Sequence, residues 1–249
     1  MSDQIKKIFV VIPAYNAGAT IKGVFARIPR DFLMSVKEYI VVNDGSTDNT
    51  MTIVCELQKI YPNITLLNKE KNEGYAKAQK SGFRLAIDKG ADIVVLLHSD
   101  GQYAPEELSR LAQPLIVDEV DIVQGSRMLA GGALKGGMPF YKYLANKFLS
   151  KLENWCYGMN LAEYHSGYML YSRRALVTIP FEKLSNTFHF DGEMLFVGHD
   201  YGLRIKELSI PTRYAEEKSH LQPIRYGLDV LKIMWQYKQG KYNFSNKSK

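Results

Sequence analysis

Apolar runs alternating with helix-periodic segments predict an α/β fold, a Rossmann-like, mostly parallel, doubly wound sheet with helices on both faces. The runs at residues 8–12, 39–42, 64–67 and 93–97 are each followed by a stretch whose apolar residues recur at helical spacing. Three of them end in polar, turn-forming segments: Pro13-Ala14-Tyr15-Asn16, Asn43-Asp44-Gly45-Ser46-Thr47-Asp48, and His98-Ser99-Asp100-Gly101-Gln102. Sheets of this kind collect ligands beyond the carboxyl ends of their strands, so these segments are where chemistry is to be sought.

The later elements follow in order. A helix opened by Pro105, with Glu106 and Glu107 in its first turn, leads to another short strand at 121–124. Residues 128–137 are glycine-rich and without hydrophobic periodicity, which predicts a mobile loop over the site. Beyond it lie a helix over 140–156, a turn or strand around 166–171 and a helix over 192–201. From 224 to 237 two apolar stripes lie roughly half a turn apart: Ile224, Leu228, Leu231 and Trp235 on one side, Tyr226, Val230, Ile233 and Tyr237 on the other. One stripe is expected to dock on the domain and the other to meet lipid or a second subunit, with Arg225, Lys232 and Lys238 available to anionic headgroups. This divides the chain into a domain over 1–221 and a basic amphipathic helix and tail over 222–249.

A chain of 249 residues, 46% hydrophobic, is long enough to bury the core of one large α/β domain. Cys55 and Cys156 are too few for a disulfide framework and fit reduced thiols in a cytoplasmic protein. The start is polar, without the pattern of a signal peptide, and no apolar run approaches the ~20 residues that cross a bilayer, so membrane contact is expected to be peripheral, on the inner face. Of the formal charge of +6, +5 lies from residue 222 onward, where six Lys or Arg stand against one Asp. Such an end suits an anionic membrane surface, and equally a solvated tail. No nucleic-acid recognition motif accompanies it, so nucleic acid is not an expected partner.

Taken alone, Asp44 to Asp48 is also what a turn capping the next helix requires. Its weight comes from company. The ordered set Pro13-Ala14-Tyr15-Asn16, Asp44-Gly45-Ser46-Thr47-Asp48, Asn72-Glu73-Gly74, Asp100-Gly101-Gln102 and Gly125-Ser126-Arg127 resembles family-2 glycosyltransferases, nearest their dolichol-phosphate mannose synthase-like branch, over roughly residues 8–215. The resemblance implies a GT-A type fold and an inverting, metal-dependent transfer of a sugar from a nucleotide diphosphate donor, UDP ahead of GDP, to a lipid-linked or hydroxyl acceptor. A homo-oligomer is compatible with it.

By that resemblance Pro13, Tyr15, Asp44 and Ser99 contact the donor nucleotide, while Lys77 and Arg127 neutralise its diphosphate, Arg being suited to a bidentate grip on phosphate oxygens. Ala17 stands where the family often has Glu, which removes one expected ribose contact. The family's Asp-x-Asp is here His98-Ser99-Asp100. Asp100 is therefore the expected ligand of a Mn or Mg ion that it shares with the two phosphates, with Gln102 adding a carbonyl oxygen. His98 either ligates a softer ion such as Mn or orients Asp100, and His220 reaches from the C-terminal side. Asp191 aligns with the catalytic base of many inverting members, although Asp191 and the nearby Glu193 also suit a helix N-terminus. Glu163, His165, Tyr168 and Glu193 are expected on the acceptor side. A polyprenyl-phosphate synthase, whose acceptor is already anionic and needs no base, and a noncatalytic nucleotide-sugar-binding protein are the alternatives.

Overall fold

The computed structural model describes residues 5–211 and 223–244. Its centre is a seven-stranded sheet of β1 (Ile8–Ala14), β2 (Val36–Asn43), β3 (Ile64–Asn68), β4 (Ile93–Leu96), β5 (Ile122–Ser126), β6 (Met169–Ser172) and β7 (Ile205–Ser209). The spatial order is β3-β2-β1-β4-β6-β5-β7. Neighbours pair in parallel except β6, which runs antiparallel to both β4 and β5. Six strands therefore end on one edge of the sheet, and the segment entering β6 reaches that same edge from the opposite direction.

Successive side chains of a strand point to opposite faces, and here both faces are covered, which is why β1, β2 and β4 read as unbroken apolar runs. Phe9, Val11, Ile40, Val42, Val94 and Leu96 belong to one core layer, beneath α4 (Tyr75–Asp88), α8 (Arg173–Thr178) and α9 (Phe190–Asp200). Val10, Ile12, Tyr39, Val41, Ile93 and Val95 belong to the other, beneath α1 (Ile21–Ala26), α2 (Arg30–Ser35), α3 (Thr50–Ile60) and α5 (Leu108–Ile116). Each fully buried Val, Leu or Ile contributes about 1.5–3 kcal/mol, so the sheet is the stable platform of the molecule.

Residues 128–137, expected as a mobile loop, are instead folded into a 3-10 turn at Leu129–Gly131 and α6 (Gly132–Lys135). The physical reason is a small core of their own: Met128, Ala133 and Met138 are buried together, and the Met138 amide closes the turn on the Ala133 carbonyl at 2.9 Å. The long α7 (Phe140–Tyr157) follows, stopped by Gly158 in the left-handed conformation, φ 71°. Strand β7 had no counterpart in the sequence reading, because Ile-Lys-Glu-Leu-Ser is half polar and only partly buried at the sheet's edge. The last described helix, α10 (Pro223–Lys238), packs against α7.

Candidate active site

The carboxyl ends of β1, β2, β4 and β5 gather the motifs. Sheet order reverses between β1 and β4, the position at which such folds leave a crevice. The first two turns are tied to each other: Asn16 N donates to Ser46 Oγ at 3.0 Å and Thr47 N to Asn16 Oδ1 at 2.9 Å. Gly45 is obligatory there, since its φ is +69° and a Cβ would lie 2.4 Å from the Lys71 backbone. Tyr15 is half-exposed at this edge, whereas Ser99 is buried.

Asp44, expected to meet the donor, is buried and faces inward. Its carboxylate accepts from the amides of Glu73 and Gly74, at 3.2 and 2.8 Å, and lies 3.4 Å from Lys69 Nζ. A carboxylate so placed fixes the turn before α4. Lys69, absent from the sequence reading, also pairs with Glu73 at 2.9 Å. Lys77 is half-exposed, 3.8 Å from Glu73.

That fixed turn delivers Tyr75, the first residue of α4, into the site. Its hydroxyl donates to Asp191 Oδ2 at 3.0 Å and lies 2.9 Å from His98 Nε2. His98 Nε2 is also 3.1 Å from the Gly167 carbonyl, and the ring packs edge-on against Tyr103 at 4.7 Å. With Tyr75 donating to Asp191, Nε2 of His98 carries the proton, and its lone pair is on Nδ1. Burial keeps the ring neutral by lowering its pKa. Gly167 must be glycine: a Cβ would come within 2.7 Å of Tyr75 Oη and 2.8 Å of His98 Nε2. Tyr75 lay in plain sight next to Asn72-Glu73-Gly74, yet only the fold brings it to Asp191, 116 residues away.

Asp191 sits in the first turn of α9 and is buried, with Tyr75 and Gln79 the polar side chains beside its carboxyl. Burial pushes its carboxyl up to about 7, against the opposing pull of the Tyr75 hydrogen bond. Asp191 and His98, 93 residues apart in the sequence, are joined through the one hydroxyl of Tyr75.

Arg127 follows β5 and is gripped by Glu163, which accepts from its amide at 2.9 Å, from Nε at 3.0 Å and from an Nη, while another bond runs to the His165 carbonyl at 2.7 Å. Glu163 is fully buried and holds the arginine. Tyr168 is likewise buried, bonded to the Ala104 carbonyl at 2.9 Å, and Glu193 accepts from Tyr242 at 2.7 Å and from the Ser185 amide at 2.6 Å. Of the four expected acceptor residues, these three are buried and hydrogen-bonded within the fold. The fourth, His165, bridges Glu153 of α7 at 3.1 Å and Tyr226 of α10 at 2.9 Å. His220 lies outside the described residues.

The donor set for a cation is thin. Asp100 is exposed beyond β4, with Oδ1 accepting from the Gln102 amide at 2.9 Å. No cluster of three or more His, Cys, Asp or Glu able to hold a metal occurs among the described residues. One carboxylate oxygen, with the Nδ1 lone pair of His98 two residues earlier, fits a divalent ion only if further oxygens come from a bound diphosphate.

Strand-end motifs on a GT-A sheet, with one acid beyond β4 and an arginine beyond β5, match the sequence profile of glycosyl transferase family 2 over residues 9–179. The chain belongs to that family. This family 2 glycosyltransferase is 30% identical over 223 residues to the UDP-N-acetylglucosamine–dolichyl-phosphate N-acetylglucosaminyltransferase of Methanococcus voltae, covering 85% of this chain and 87% of that one. It is 28% identical to the undecaprenyl-phosphate mannosyltransferase of Micrococcus luteus, over 82% of each chain. Among solved structures its fold is similar to glucosyl-3-phosphoglycerate synthase of Mycobacterium tuberculosis. With UDP bound, that structure has a TM-score of 0.67 at 22% identity and covers 92% of this chain and 79% of its own. With Mn2+ and UDP-glucose the TM-score is 0.65 at 23% identity, covering 94% and 79%.

The family 2 enzyme also carries an apolar surface on the long helices α7 and α10. On α10 the stripe of Tyr226, Val230, Ile233 and Tyr237 packs on the core, while Leu228, Leu231 and Trp235 stay exposed. α7 adds Phe140, Leu144, Phe148 and Trp155, spaced at helical intervals and exposed, Trp155 by 79%. The two helices touch, and Lys238 of α10 lies 5.7 Å over the Trp155 ring. Among the described residues no helix is long and apolar enough to cross a membrane.

Proposed function

We propose that this enzyme transfers a sugar from a nucleotide diphosphate donor to a polyprenyl-phosphate acceptor, working peripherally at the cytoplasmic face of a membrane. The observation that carries this reading is the near full-length similarity to an enzyme named for a dolichyl-phosphate acceptor. The exposed apolar stripes of α7 and α10 support it, since an interfacial enzyme needs such a face to reach a lipid substrate.

In this reading an oxygen of the acceptor phosphate attacks the anomeric carbon, the bond to the donor diphosphate breaks, and the configuration inverts. The nucleophile is already anionic, so no proton need be removed. Pro13 and Tyr15 flank the nucleotide, Arg127 faces the diphosphate, and its orientation comes from Glu163. Asp100, with Gln102 and His98 as further candidates, would hold Mn or Mg together with the diphosphate. Such an ion supplies positive charge against the leaving group. UDP is the preferred nucleotide and GDP the second; the Methanococcus voltae relative named for a UDP-sugar supports this order.

A thermal-shift screen over UDP- and GDP-sugars, with and without Mn2+, tests donor and metal together. Stabilisation by a UDP-sugar that grows with Mn2+ and vanishes in Asp100→Ala is expected; no response to any nucleotide sugar would refute the reading. Asp191 favours a second reading, a hydroxyl acceptor, because a carboxyl raised to about 7 is suited to act as a general base near neutrality. Asp191→Asn separates the two: retained transfer to polyprenyl phosphate supports the first, and loss of turnover with intact donor binding supports the second.

A further inference from the structure

A cleft of about 720 Å3 opens between the turn before α9, one side of α10 and the residues after it. Four cations line it: Lys183, Arg225, Lys232 and Lys241. None of these is ion-paired with a carboxylate among the described residues, whereas Lys22, Arg27, Arg84, Lys89 and Arg204 elsewhere on the surface each are. Lys183 rests over the Phe244 ring at 5.8 Å, and Lys241 donates to Gln236 at 3.0 Å. Two acids share the lining, so four cations face two carboxylates. Glu193 is buried and committed to Tyr242 and Ser185, and Asp229 lies 4.0 Å from His189. Unpaired cations converging on one concavity repel each other unless an anion joins them.

The remaining lining is apolar, with Phe188, Ile233 and Phe244 among it. Phe188 stacks on Tyr75 at 5.7 Å, so the cleft opens next to the strand-end site. On α10, Arg225 and Lys232 lie three residues before and four after Leu228, which places them beside the exposed stripe of Leu228, Leu231 and Trp235. Charge and apolar surface thus meet at one lip.

We propose that this cleft binds the phosphate head of an amphiphilic lipid, held by Arg225 and Lys232 together with Lys183 and Lys241, and that the chain leaves over Leu228, Leu231 and Trp235. The ligand's class rests on the lipid-phosphate acceptor reading; the location is new. Arg225 supplies the bidentate fork, and the lysines supply point charges.

Calorimetric titration of the full chain with farnesyl phosphate, farnesol and inorganic phosphate tests it directly. Farnesyl phosphate is expected to bind at one site at least about tenfold tighter than either of the others. Arg225→Gln combined with Lys232→Gln should weaken it by about tenfold or more, while Lys37→Gln combined with Lys59→Gln on the far side leaves it unchanged. Farnesol binding as tightly would overturn the phosphate contact, inorganic phosphate binding as tightly would overturn the lipid, and equal affinity in the α10 double variant would overturn the site. Should that variant melt early, Lys183→Gln with Lys241→Gln gives the same decision from outside the helix. No sugar transfer enters the measurement. Tight farnesyl phosphate binding without turnover on a polyprenyl phosphate therefore refutes the acceptor reading alone, and turnover without binding in the cleft refutes this site alone.

Discussion

Replacing Asp191 by Asn changes how stability depends on pH, and the size of the change follows from burial. The carboxyl moves from 3.8 to about 7 on folding, so between those values the native chain holds a proton that the unfolded chain has released. Stability then falls as pH rises through that window, and above pH 7 the buried charge costs about 4 kcal/mol relative to strongly acid conditions. From pH 5 to pH 8 the part carried by Asp191 is about 2.5 kcal/mol. Asn keeps the shape and still accepts from the Tyr75 hydroxyl, but it has no charge to bury. Urea unfolding of both proteins at pH 5, 6, 7 and 8 should show the variant gaining about 2.5 kcal/mol on the wild type across the series. Other titrating groups are common to both chains and drop out of the difference. A difference that stays constant within about 1 kcal/mol would mean that Asp191 is ionised in the folded protein throughout, and would refute the argument from burial.

Other perturbations have equally definite outcomes. Arg127→Ala leaves Glu163 charged and buried without its partner and is expected to cost about 3–5 kcal/mol in urea unfolding, whereas Glu163→Gln with Arg127 intact should cost less and weaken donor binding. Gly167→Ala drives a methyl into Tyr75 and His98 and should lower turnover at least tenfold with the strand core unchanged by circular dichroism, an effect on the order of 1.4 kcal/mol in the barrier. Leu231→Glu with Trp235→Glu, both at exposed positions, should leave stability within about 0.5 kcal/mol each yet abolish flotation with anionic liposomes; equal recovery in the lipid fraction would refute the membrane face.

Strand-end positions, the parallel sheet and the two stripes of α10 were legible in the sequence because they depend on periodicity and chain direction. A run such as Ile-Phe-Val-Val-Ile has no face for water and must be an inner strand. The stripe of α7 was equally legible, since Phe140, Leu144 and Phe148 recur every four residues, but it lay in a segment read only as helix. Hidden from the sequence was the direction in which each polar side chain points. Asp44 and Asp100 stand in similar turns after similar strands, yet Asp44 turns in to the amides of Glu73 and Gly74 while Asp100 keeps an oxygen outward. Glu163 reads as a ligand-facing acid until the antiparallel entry of β6 brings it under Arg127, and Tyr75 reads as a helix start until α9 sets Asp191 beside it. A carboxylate satisfies an amide or a ligand with the same lone pairs. Local sequence therefore determines where such groups sit along the sheet edge, and only the packing of distant segments decides which of them remain for chemistry.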